Sequence, residues 1–156
     1  MRLSCIVLLI IWPMTAVAME PSDCAFQLDK QLNIWKLPTV EPDVFYGVTR
    51  SGSNPFVTTG DFDNDQKKDV AFLIVKDGRT KIAVCLSGKP EKAFIIGDLY
   101  CDDGIARAPK GAKYYNYDTD YEGRYERDGV HAYCYEKAGA TYLYKDGVFH
   151  RVVDSD

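Results

Sequence analysis

The chain is predicted to fold as a mostly β, antiparallel sheet domain, built from propeller-blade-like or sandwich-like hairpins with one short N-terminal helix. Three observations predict it. Short runs of apolar and β-branched residues recur from Val44 to the C-terminus. Asp77-Gly78 and Asp146-Gly147 sit between such runs, where a tight hairpin turn demands positive φ. A helical apolar pattern occurs once, ahead of Pro38. With 46% hydrophobic and 27% charged residues among 156, the composition is that of an ordinary globular domain.

Residues 1–18 read as a signal peptide. Arg2 supplies the positive start, Cys5 to Trp12 the apolar stretch, and Ala16-Val17-Ala18 the small residues before a cleavage site at Met19. Pro13 interrupts the run well short of the roughly 20 apolar residues a membrane span needs. The lipobox that a lipoprotein requires is missing ahead of Cys24. The expectation is therefore a periplasmic or secreted protein with no membrane span after cleavage, residues 19–156 forming one β-rich domain. In the mature part, Ser22 is the expected cap of a short amphipathic helix carrying Ala25, Phe26, Leu28, Leu32 and Trp35.

Strands are expected at Val44–Tyr46, Phe56–Thr58, Val70–Val75, Lys81–Leu86 and Ala93–Ile96. The run Val70–Val75 is apolar throughout, which suits a strand covered on both faces. Asp102 to Asp128 lacks a sustained period and reads as long loops with one strand near Tyr114–Tyr117. A three-stranded meander follows, at Val130–Glu136, Thr141–Tyr144 and Val148–Val153.

Charge and cysteines narrow the function. Nineteen basic against 23 acidic residues give a net charge of −4, and the chain has no basic surplus with which to offset phosphates, so nucleic acid is not an expected partner. Of five cysteines, Cys5 leaves with the signal. Cys24, Cys85, Cys101 and Cys134 are an even set in an exported chain, predicting two disulfides with three possible connectivities. No Cys-x-x-Cys spacing supports zinc or a redox dithiol.

One stretch carries chemistry. Within residues 60–69, Asp61, Asp63, Asp65 and Asp69 occupy loop positions 1, 3, 5 and 9. Ca²⁺ takes six to eight oxygens, and alternate residues of a curled loop aim theirs at one centre. Phe62 points the other way, toward the core, and the Lys67 carbonyl at position 7 is the customary non-carboxylate ligand. The stretch Val57–Leu86 resembles the FG-GAP and VCBS repeat families, whose mark is Gly-Asp-Phe-Asn/Asp-Gly-Asp-Gly-x-x-Asp before a short apolar strand. The resemblance implies a calcium loop joining two strands, with Asp61, Asp63, Asp65 and Asp69 as side-chain ligands. Asn64 and Gln66 stand where those families have glycine, and Gln66 is expected to cost on the order of 1 kcal/mol there. An EF-hand is a poorer match, because Phe72 stands where the bidentate glutamate belongs. A propeller ring needs at least four blades of roughly 40 to 60 residues. This chain has room for two or three, so the loop is expected to staple a free-standing domain.

Asp118 to Glu126 repeats the acidic spacing and is a second, weaker candidate cation loop, or else a charged surface loop. Ten of the 11 tyrosines lie between Tyr100 and Tyr144. Tyr114, Tyr115, Tyr117, Tyr121 and Tyr125 are candidate partner-binding residues, since tyrosine offers a flat face with a hydrogen-bonding tip. His131 and His150 stand in no nucleophile motif. The sequence thus predicts a non-enzymatic binding module for a protein or glycan, such as an inhibitor or immunity protein against a secreted hydrolase. The alternatives are a calcium-dependent envelope hydrolase and a structural envelope or adhesin component.

Overall fold

The structure is a computed structural model and describes residues 18–39, 54–97, 103–133 and 139–155. The signal segment, the strand expected at Val44–Tyr46, Cys101 and Cys134 lie outside the described residues. The described chain is mostly β, with antiparallel sheets and a single helix. That helix is not long and apolar enough to cross a membrane.

Helix α1 spans Pro21–Leu32. Its cap is Glu20 rather than Ser22, in a capping box with Asp23. Proline at the first helical position needs no N–H partner and has its φ preset, so the helix begins one residue before Ser22. The buried face is Cys24 and Leu28, one turn apart, while Phe26 is 57% exposed. Phe26 lies about 200° around the helix from Cys24, hence on the far side. Asn33, at φ 59°, ends the helix. Trp35 therefore lies beyond it, packing on Phe72 at 5.9 Å and donating its indole N–H to Asp29 at 2.8 Å.

Strands β1 (Val57–Gly60), β2 (Asp69–Lys76), β3 (Arg79–Cys85) and β4 (Ala93–Ile96) form a sheet in chain order. Asp77 and Gly78 both adopt positive φ in the β2–β3 turn. The β2 run divides its side chains by parity between two cores. Val70, Phe72 and Ile74 meet α1, while Ala71 and Leu73 meet the second sheet.

The remaining strands are β5 (Gly104–Ala108), β6 (Lys113–Asn116), β7 (Tyr121–Arg124), β8 (Gly129–Tyr133), β9 (Gly139–Lys145) and β10 (Val148–Ser155). The second sheet has the order β10-β9-β8-β5, so the expected tail meander gains β5 at its edge. Strands β6 and β7 pair as a separate hairpin. The segment expected as long loops with one strand thus holds three. β5 and β7 have little local signal and owe their state to pairing, Ile105 with Ala132 and Glu122 with Tyr115.

The two sheets close over Leu73, Ile82, Val84, Val130, Ala132 and Tyr142, giving a sandwich-like core. Pro55 and Phe56 tie the sheets at one margin. The Pro55 carbonyl accepts from Ile105 N–H on β5, and the Phe56 carbonyl from Leu73 N–H on β2. On the outer face of the first sheet, Cys24 of α1 is bonded to Cys85 of β3. Cys101 and Cys134, the other cysteines of the two expected bridges, lie outside the described residues.

Candidate metal centre

The β1–β2 connection curls because its own acids cap its backbone. Asp61 Oδ2 accepts the Gln66 N–H at 3.0 Å, Asp63 Oδ1 the Asp65 N–H at 3.3 Å, and Asp65 Oδ1 the Lys67 N–H at 2.9 Å. Asn64 and Gln66 both adopt the left-handed conformation, at φ 63° and 67°. Phe62 is fully buried in the inter-sheet core and anchors the curl. Gln66→Gly is accordingly expected to raise stability by about 1 kcal/mol through relief of that backbone strain. A lower melting temperature for this variant would show that the Gln66 side chain has a role the backbone does not account for.

The curl gathers three carboxylates. Asp61, Asp63 and Asp65 each offer one oxygen, and these atoms lie within 4.8 Å of one another. Asp61 Oδ1 is buried without a hydrogen-bond partner among the described residues, so nothing described there competes with a cation for it. Burial, then the neighbouring Asp65 and Asp61 charges, push the Asp63 carboxyl above its ordinary value. The donors are all hard oxygens, the set that suits Ca²⁺.

Asp69 stands apart from the three. It is fully buried, with Oδ2 accepting the Phe62 N–H and Oδ1 the Ser87 N–H, both at 2.8 Å. Burial pushes its carboxyl up to about 6 against the pull of those two donors. In this position Asp69 stitches the loop start to the turn after β3. Lys67 places its ammonium 3.4 Å from Asp65 Oδ2.

Sequence reasoning missed the surroundings of the loop. Gly88, after β3, faces the acids: a Cβ there would lie 3.0 Å from Asp65 Oδ2 and 3.6 Å from Asp63 Oδ2. Its φ is not positive, so the space rather than the backbone explains the glycine. Asp128 accepts the Asp61 N–H at 3.1 Å and the Lys110 N–H at 2.8 Å, and lies 3.7 Å from Arg107. No spacing in the chain announces either residue, since both reach the loop from connections distant in sequence.

The Asp118–Glu126 segment holds the turn of the β6–β7 hairpin and strand β7. The Tyr115 hydroxyl donates to Asp120, and among the described residues these acids form no group like that of Asp61, Asp63 and Asp65. On this hairpin Tyr117 and Tyr121 are 49% and 58% exposed, and Tyr115 packs edge-on against Tyr117 at 4.9 Å. Tyr114 stacks on Tyr125 at 4.7 Å. Tyr125 itself is buried, with its hydroxyl donating to Asp154 and lying 3.1 Å from Thr141 Oγ1.

His131 Nδ1 completes this network, 3.0 Å from Thr141 Oγ1 and 3.3 Å from Asp154 Oδ1. His150 is exposed. Burial pushes Asp154 upward, but the neighbouring His131, Thr141 and Tyr125 groups outweigh it and hold its carboxyl below the ordinary value. A depressed carboxyl stabilises the fold above its unfolded value and loses that contribution as pH falls through the folded one. Asp154→Asn is therefore expected to flatten the acid limb of the stability–pH curve below about pH 4. Urea midpoints taken from pH 6 downward check this, and an unchanged acid limb would exclude the network as its source.

Comparison of the chain with protein-family models, with curated proteins and with solved structures gives no match. The functional reading accordingly rests on the chemistry of the loop and of the tyrosine hairpin.

Proposed function

We propose that this chain is an exported β domain stapled by one Ca²⁺ and acting as a binding module, not an enzyme. The observation that carries the reading is the convergence of one carboxylate oxygen each from Asp61, Asp63 and Asp65, together with an Asp61 Oδ1 that is buried without a hydrogen-bond partner among the described residues. Three like charges this close repel one another, and a divalent cation removes the repulsion. The ion would fix the angle between β1 and β2 rather than activate water. Extracellular calcium modules have dissociation constants of roughly 10⁻⁴ to 10⁻³ M, suited to a protein in millimolar calcium. In this reading the loop is an FG-GAP-like staple in a single copy, and the exposed rings of Tyr117 and Tyr121 form the contact face. A secreted hydrolase blocked by the domain is the partner this reading favours, and recovery of such an enzyme with the tagged domain from an envelope fraction is its check.

Calcium at ten times its dissociation constant is expected to add about 1.4 kcal/mol to folding stability. Calorimetric melts across a calcium titration read this directly, and Asp63→Ala is expected to abolish the response. A wild-type melt that ignores both calcium and chelator would overturn the staple.

A further inference from the structure

The Tyr-rich hairpin meets the end of β9 in a cleft whose chemistry differs from that of the chain as a whole. Tyr114, Tyr121, Arg124, Arg127 and Lys145 line it, with Glu126 as its acid. The full chain carries a net charge of −4, yet this cleft holds three cations against one anion. Among the described residues the side chains of Arg127 and Lys145 have no ion-pair or hydrogen-bond partner. Arg124 is held in place by a bond to the Gly111 carbonyl at 2.7 Å.

On the aromatic side of the cleft Tyr114 is held in place and Tyr121 stands exposed beside it. Tyr114 lies nearly parallel to Tyr125, with centroids 4.7 Å apart and an angle of 13° between the ring planes. Tyr125 is anchored below by Asp154 and Thr141. Gly123 is the floor: a Cβ there would lie 2.9 Å from Tyr114 Cζ and 2.9 Å from Tyr121 Cε1. Its φ is not positive, so the glycine is explained by two rings closing over one backbone position. Flat rings lining one cleft with guanidinium groups suit a ligand with a flat apolar face and a carboxylate.

We propose that this cleft binds a carboxylate-bearing sugar, a uronic-acid unit of an anionic glycan. Its ring C–H face would rest on Tyr114 and Tyr121 while its carboxylate meets Arg127 and Lys145. An acidic peptide could satisfy the cations but has no flat face for the rings, so the glycan is the favoured occupant. The inference rests on the reading of the domain as a binding module, and not on the ion.

The test is an NMR or calorimetric titration of the disulfide-intact protein, in calcium and again in chelator, with a tetramer of galacturonic acid. The uncharged galactose tetramer, a tetraglutamate peptide and inorganic phosphate serve as comparisons. Saturable binding is expected, about tenfold tighter than for the uncharged tetramer, with Arg127→Gln weakening it about tenfold and Tyr121→Ala several-fold. Both side chains are outside the core, and unchanged melting curves confirm that each variant folds. No saturation by about 10 mM, or equal affinity for the uncharged tetramer, overturns the proposal. Binding of tetraglutamate as tight as that of the sugar, lost in the same variants, overturns the sugar assignment while leaving the binding-module reading intact. Binding of phosphate as tight as the sugar reduces the cleft to an anion patch and overturns it too.

Discussion

Asp69→Ala is expected to cost about 4 kcal/mol of folding stability, because it strands two buried backbone donors at once. The Phe62 and Ser87 N–H groups each find an Asp69 oxygen at 2.8 Å, and the carboxylate is fully buried. Each orphaned donor costs about 1–3 kcal/mol. Asp69→Asn is expected to lose roughly half as much, since its amide keeps one acceptor and turns a donor toward the other N–H. Urea denaturation in chelator is the decisive measurement. If Asp69 acted solely as an ion ligand, the loss would vanish there. If it stitches two turns together, as the hydrogen bonds indicate, the loss persists without metal. A change under about 1 kcal/mol in chelator would remove this role.

The Cys24–Cys85 bridge is the second large effect. It spans 61 residues, joining α1 to β3 across the outer face of the first sheet. By the chain-entropy relation a loop of that length contributes about 4 kcal/mol. The double variant Cys24→Ala/Cys85→Ala is expected to lower stability by about that amount while leaving the inter-sheet core packed. Guanidinium midpoints of the variant and the oxidised parent measure the difference. Near-equal midpoints would mean that α1 is held by Leu28 and its apolar neighbours alone.

Legibility in the sequence followed the range of the interaction. The β2 run, the two Asp-Gly turns and Ala93–Ile96 were readable because short continuous apolar runs and turn chemistry act over a few residues. The curl at Asp61–Asp65 was readable for the same reason, as each carboxylate caps an N–H two to five residues onward. Ser22 failed as a cap because Pro21 competed for the helix start. Phe26 was placed on the buried face by hydrophobicity alone and is exposed, whereas Trp35 lies beyond the helix end yet still packs against the α1 core. For β5 and β7 nothing local distinguished strand from loop, since neighbouring strands supply their hydrogen bonds.

The amino-acid order by itself determined the β class, the hairpin turns and the acidic curl, all of which arise from backbone preference and contacts between near neighbours. Only the folded chain decided that Cys24 meets Cys85, that Gly88 and Asp128 border the acids, and that Asp154, His131 and Thr141 anchor Tyr125. Those outcomes depend on which sheet faces which and on register across tens of residues. Close packing selects them, and no short window of sequence contains both partners.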